Sequence, residues 1–247
     1  MPELPEIEVI RPDWPAPSNV HAFTTTRKAG FSQGPWSSLN LGKSCGDNPQ
    51  HVDQNRRSLL RLLPSEPRWL NQVHGTHVAD WDKANETVAG ADAITSSKTG
   101  QVCAVLTADC LPVLFCNLTG TRIAAAHAGW RGLAAGVLEA TVLAMGCPPA
   151  DLMAWLGPAI GPRAFEVGKD VYDAFVNLHP DNAIAFQPHR DRWLADLYQL
   201  AGLALGRAGV KRVSGGQHCT YLEKDRFFSY RRDGQTGRML TAAWLSG

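Results

Sequence analysis

The sequence predicts an α/β protein: one domain with a mixed β-sheet core flanked by helices. Three observations carry this. Apolar runs such as QVCAVLTA, LPVLFCN and RIAAAHA have the length and bounding turns of buried strands. Amphipathic stretches at helical spacing alternate with them, the pattern of α/β folds. The 247 residues show no internal repeat and no low-complexity linker, and 44% are hydrophobic, enough for one sizeable core.

In chain order, residues 1–20 are Pro-rich and irregular. HAFTTTRKAG reads as a strand ending at Gly30, followed by a long Gly/Ser/Asn-rich loop. HVDQNRRSLLRLL reads as a helix capped by Asp47 or Asn48, with Pro49 in its first turn. RWLNQVHGTHVADW suggests a strand, a turn at Gly75 and a second strand. Three buried strands follow, in QVCAVLTA, LPVLFCN and RIAAAHA. GWRGLAAGVLEATVLAM then reads as one helix running to Gly146, with a face of small residues suited to close packing on a sheet. DLMAWLGPAIG gives a further strand and turn, KDVYDAFVNLH and WLADLYQLAGLALGRAGV two helices, and KRVSGG another strand. The last 21 residues, from FFSYRRDG onward, read as a hairpin turning at Asp233-Gly234.

Composition narrows the function classes. The formal net charge is +1 and charged residues make up 19%, so the basic surplus expected of a nucleic-acid binder is missing. The N-terminus carries no secretory h-region, and Asp109 interrupts the most apolar stretch, so neither export nor membrane insertion is expected. Six scattered cysteines in a chain this long read as reduced thiols of a cytoplasmic protein. The expected partner is a small molecule, and the expected assembly a monomer or small homo-oligomer.

Chemistry concentrates in NQVHGTHV, TADCLPVLF and AAAHAGWRG. Each places a thiol or imidazole beside a strand end, where α/β folds gather functional groups. His74, Cys110 and His127 suit Zn²⁺ with a fourth position open, and equally suit a Cys-His hydrolase with a thiolate nucleophile. The alternative is a buried, unreactive Cys110 and histidines that only satisfy hydrogen bonds. His77 lies three residues after His74, on the opposite side of an extended chain, and is set aside. HAGWRG offers an anion seat: a Gly-rich turn, a helix N-terminus and Arg131; it also reads as close helix–sheet packing beside a solvated arginine. Thr26, Arg27 and Asn40 read either as donors and acceptors for a polar ligand or as loop caps.

These segments, together with SLNLG, CGDNP, LGPAIGP, FEVG, CTY and FFSYRRDGQTGR, resemble the YfiH family, also called the laccase-domain or peptidoglycan-editing-factor family. The resemblance runs from about Ile10 to Leu245. It implies residues 1–9 as an N-terminal extension and 10–247 as one catalytic domain, related in fold to Cys-His hydrolases such as the cytotoxic necrotizing factor toxins. It also implies a zinc site at His74, Cys110 and His127. Thr26, Arg27, Asn40, Asp109 and Arg131, read from their own chemistry, are the candidates for lining the substrate pocket beside it. Ser44 departs from a common family histidine and is given no role. Three activities come with the family. One is phosphorolysis of adenosine, inosine and methylthioadenosine, with adenosine deamination. Another is an amidase editing of peptidoglycan precursors, removing misplaced L-Ser from a UDP-MurNAc-linked precursor. The third is copper-dependent polyphenol oxidation.

The residues rank these. Multicopper oxidases use many His ligands, largely in H-x-H pairs; this chain has eight His and no such pair, although Cu²⁺ competes for the same His/Cys site. Phosphorolysis needs an anion seat, which HAGWRG supplies, and deamination needs an activated water, which an open zinc position supplies. Amide hydrolysis needs the same water or a Cys110 thiolate, so the nucleoside and amidase readings share one constellation that the residues do not separate. A zinc enzyme of purine nucleosides and phosphate is the leading expectation, with the precursor amidase second and a non-enzymatic metal-binding protein third. The opening string MPELPEIEV resembles the start of formamidopyrimidine-DNA glycosylases, but the C-x-x-C pairs of their zinc finger are absent.

Overall fold

The computed structural model describes residues 6–83 and 89–247. Thirteen strands are described: β1 (Val9–Ile10), β2 (Val20–Thr25), β3 (His77–Asp80), β4 (Ala91–Ser96), β5 (Val102–Thr107), β6 (Leu111–Asn117), β7 (Ile123–Ala128), β8 (Leu152–Leu156), β9 (Glu166–Val167), β10 (Phe186–His189), β11 (Arg192–Ala195), β12 (Arg212–Gly215) and β13 (Met239–Leu245). The helices are α1 (Pro49–Leu59), α2 (Trp130–Ala135), α3 (Val137–Ala144), α4 (Lys169–Val176), α5 (Leu197–Arg207) and the single turn α6 (Tyr230–Asp233).

The mixed sheet is six-stranded, in the order β12-β8-β6-β7-β4-β3, parallel at both edges and antiparallel between. A second, antiparallel sheet, β1-β2-β13-β5, stacks on one face of it. Period-two alternation builds the layers. On β6, Leu114 and Cys116 face the second sheet while Val113 and Phe115 face the helices. On β5, Cys103 and Val105 face the mixed sheet, and Val102 and Ala104 pack with Leu39, Leu41 and Leu59 of the outer layer. The result is a four-layer α/β/β/α stack. Because β6 and β7 are buried on both faces, their sequences are near-continuous apolar runs. A small sheet, β10-β11-β9, packs beside α4.

Several expectations are corrected. The predicted helix to Gly146 is broken at Gly136, whose φ of 97° is left-handed; it closes α2 and opens α3. The predicted helix at Trp193 begins four residues later, because Asp196 accepts from the Tyr198 and Gln199 N–H groups and caps α5, leaving Trp193 in β11. The C-terminal hairpin is not formed. Ser229 caps α6, and the Arg232 guanidinium donates to the carbonyls of Thr220, Tyr221 and Phe227, holding that segment off the sheet. Only β13 continues, between β2 and β5. The first strand expected in RWLNQVHG reduces to one bridge, Asn71 to Ala89, because the amides that follow are bound by a side chain. The helix at Pro49 starts as expected, with the Asn48 side chain accepting from the Gln50 N–H.

The boundary expected between residues 9 and 10 falls inside β1, which pairs with β2, and Ile7 is buried. Residues 1–5 of the expected extension, including Pro2 and Glu3, lie outside the described residues. All six cysteines are free thiols. No helix among the described residues is long and apolar enough to cross a membrane.

Candidate metal centre

Sheet register assembles the site at one end of the mixed sheet. Pairing of β6 with β7 sets Pro112 opposite His127, which brings Cys110, just before β6, alongside that histidine. Pairing of β4 with β7 ends at Ala93–Ala126; one residue further, Asp92 lies across from His127. β3 and β4 start together in parallel, so the turn before β3, carrying His74, sits over Asp92. Three side chains far apart in sequence thereby meet. The ligand atoms of His74, Cys110 and His127 lie within 4.8 Å of one another. His74 Nε2 is 3.7 Å from Cys110 Sγ, and the two imidazole rings stand edge to face with centroids 4.8 Å apart. His127 is buried and His74 exposed, so the cluster opens to solvent past His74.

Asp92 is fully buried, and its carboxylate is filled by four donors. Oδ1 accepts from the His74 N–H at 2.9 Å and faces His127 Nδ1 at 2.8 Å. Oδ2 accepts from the N–H groups of Val73 at 3.1 Å and Gly75 at 2.7 Å. With Nδ1 assigned as the donor to Asp92, Nε2 of His127 is the nitrogen left for the cluster. His74 has φ 63°, the left-handed region rarely used by a non-glycine residue, and the three amide bonds to Asp92 hold it there.

Charge is organised in the same place. Burial pushes the Cys110 thiol up, but the positive charge of His127 and hydrogen bonds from His127 and His74 outweigh it and hold the thiol at about 6. Burial pulls His127 down, but the Cys110 charge and the hydrogen bond to Asp92 dominate and raise it to about 9. Asp92 is pushed up by burial and lowered more strongly by His127 and by the Gly75 and Val73 amides, ending below the usual carboxylate range. The buried cysteines elsewhere behave oppositely: desolvation alone pushes Cys116 up to about 12.

Two glycines make room. A Cβ on Gly129 would lie 2.6 Å from His74 Cδ2 and 3.1 Å from Cys110 Sγ. One on Gly132 would lie 2.9 Å from the Gly75 carbonyl oxygen. The glycines of HAGWRG thus allow α2 to close directly onto the His74 turn.

The remaining predicted residues sit differently. Arg131, in the first turn of α2, is exposed, has no acidic partner among the described residues, and lies 4.4 Å over the Trp130 ring. Asp109 has φ 84°; its carboxylate accepts from the Thr220 and Ser229 hydroxyls and the Arg231 N–H, tying the C-terminal segment to the residue next to Cys110. Thr26 and Asn40 are fully buried. Thr26 Oγ1 accepts from the Lys28 N–H; Asn40 accepts from the Gly42 and Arg238 N–H groups and donates to Asp47. Both therefore support a loop rather than present a surface to a ligand. Arg27 donates to the Ser37 carbonyl and stacks over Phe228. His77 opens β3 and is outside the cluster. Asp92 went unrecognised in the sequence, although a charged residue at the head of the buried run ADAITS was the available signal.

A family model described as multi-copper polyphenol oxidoreductase laccase matches residues 21–246. The chain belongs to this laccase-domain family. Members named "Purine nucleoside phosphorylase YfiH" in Escherichia coli (strain K12) and purine nucleoside phosphorylase in Pseudomonas aeruginosa are similar over nearly the whole chain. The first is 54% identical, covering 96% of this chain and 99% of that protein; the second is 53% identical, covering 96% and 98%. Among solved structures, a Neisseria meningitidis protein superposes with a TM-score of 0.93 at 53% identity, over 97% of this chain and 99% of that one. YlmD from Geobacillus stearothermophilus reaches 0.90 at 31% identity over the full length of both. Laccase-domain membership and YfiH-like fold thus agree. For a multi-copper array, however, the described residues offer a single grouping of three or more His, Cys or acidic ligands, a set that suits one ion.

Proposed function

We propose that this protein is a metal-dependent purine nucleoside phosphorylase, acting on adenosine, inosine and methylthioadenosine, with Zn²⁺ as its ion and adenosine deamination as a second activity of the same centre. The observation that carries the reading is the meeting of one activated thiol and two imidazoles at an open site. It is supported by the names of relatives that align over almost the entire chain.

The donor set fits a divalent ion. Cys110 is poised as a thiolate, His127 presents Nε2 because Asp92 takes Nδ1, and His74 Nε2 faces the sulfur. When bound, the ion supplies Lewis-acid polarisation at its open position. Phosphorolysis joins a phosphate oxygen to C1′ of the sugar and breaks the bond from C1′ to the base nitrogen. Arg131 lies in the first turn of α2, two residues after Gly129, the residue that packs against the cluster, and would hold the phosphate charge. Asp109 keeps the Cys110 turn in its left-handed conformation by anchoring it to residues 220–231. Arg27 is the half-buried polar group left to face substrate from the loop side.

The Cys110–His127–Asp92 arrangement also favours amide hydrolysis, which keeps the peptidoglycan-precursor amidase as the second reading. The deciding experiment incubates zinc-loaded protein with adenosine and phosphate and resolves the products. Adenine with ribose 1-phosphate, plus inosine, is expected, and both are lost in Cys110→Ala. No turnover of any of the three nucleosides, with release of serine from a muropeptide amide instead, would transfer the assignment to the amidase.

A further inference from the structure

Asp92 lies on a strand that carries no ligand, yet it touches both histidine ligands. Its four short contacts use both oxygens twice. We propose that Asp92 is the positioning residue of the metal seat: one buried carboxylate fixes the His74 turn and the ring of His127 before any ion arrives. This rests on the metal-centre reading above and deepens it.

The case is geometric. Three consecutive N–H groups, at Val73, His74 and Gly75, converge on one carboxylate, which makes the turn a closed cradle rather than a free loop. His74 is held at φ 63°, a conformation that a non-glycine residue rarely adopts and that persists only where the surroundings impose it. From the other side, Oδ1 sets the tilt of His127 and leaves the proton on Nδ1. Cys110, itself one of the three, also hydrogen-bonds both histidines; among the described residues Asp92 is the side chain outside the ligand set that does so.

An amide at this position cannot replace the carboxylate. Asparagine has one oxygen where four donors arrive. With its NH₂ toward Val73 and Gly75, the turn loses two bonds and gains a donor–donor clash. With its NH₂ toward His127, the imidazole must accept at Nδ1, and its proton moves to Nε2, the nitrogen meant for the ion. Either orientation damages the seat. Substitutions of such partners of metal-bound histidines weaken metal affinity by roughly 10–100-fold.

The test measures Co²⁺ and Zn²⁺ affinity by competition with a chromophoric chelator, for wild type and Asp92→Asn, with the melting curve as the control for folding. A folded Asp92→Asn that binds 10–100-fold more weakly, with a diminished cobalt–thiolate band, is expected. Equal affinity in the two proteins overturns the proposal. If wild type itself takes up neither ion, the metal-centre reading falls first and this proposal with it. Should Asp92→Asn fail to fold, amide hydrogen exchange on metal-free wild type decides. Residues 73–75 should already be protected, and protection that develops only on adding Zn²⁺ shows that the ion, not Asp92, orders the turn.

Discussion

At the scale of single residues, Cys110 differs from every other thiol in the chain through its neighbours. Cys103 and Cys116 meet only burial or acidic groups and are pushed up, whereas Cys110 faces an imidazolium and is brought down to about 6. For metal-free protein this predicts a thiol below about pH 6 and a thiolate above it. Its alkylation by iodoacetamide should rise with a midpoint near pH 6, about two and a half units below an ordinary thiol. His127→Gln removes the positive partner and should move the midpoint upward, toward the ordinary value. A wild-type midpoint near 8.5, followed by mass spectrometry of the Cys110 peptide, would remove the proposed pairing. The thiol and both imidazoles were legible in the sequence as residue types beside strand ends. Asp92 was not, because a carboxylate acting through a partner leaves no spacing motif.

At the scale of elements, two different constraints act on glycines of one segment. Gly136 breaks the helix because its φ of 97° suits no side chain, and Gly136→Ala should destabilise the protein by roughly 1–2 kcal/mol without changing the site, read as a lower melting temperature at constant kcat/KM. Gly129 has an ordinary φ of −60°, but its Cβ would strike His74 and Cys110. Gly129→Ala should therefore lower kcat/KM and metal affinity at least about tenfold, with a cost of about 1–3 kcal/mol from overpacking. Equal kinetics for Gly129→Ala and wild type would show that α2 does not close onto the cluster. The alternating and apolar periods of the sequence located β5 to β8 and α1 well. They missed β4 as well as the short β1, β9, β10 and β11, and they merged α2 with α3. Pairings of two to four residues and a single left-handed residue are set by tertiary contacts, which no local period encodes.

At the scale of the whole molecule, the fold delivers the site by register. The mixed sheet brings His127, Cys110 and Asp92 to one end through the pairings of β6, β7 and β4, and parallel β3 adds His74. Asp109 then ties that end to the C-terminal segment. Asp109→Ala should cost on the order of 3 kcal/mol, because two buried hydroxyls and an amide lose a charged acceptor. Amide exchange across residues 219–231 should quicken with it; unchanged exchange there would show that the segment is held by other contacts. The second, antiparallel sheet could not be separated from the first in the sequence, since each apolar run reads alike whichever partner it finds. The measurement that bears most directly on the metal seat is X-ray absorption at the zinc edge of the fully loaded protein. One sulfur at about 2.3 Å and two imidazole nitrogens at about 2.0 Å, one ion per chain, are expected. A shell of oxygen and nitrogen without sulfur would contradict it.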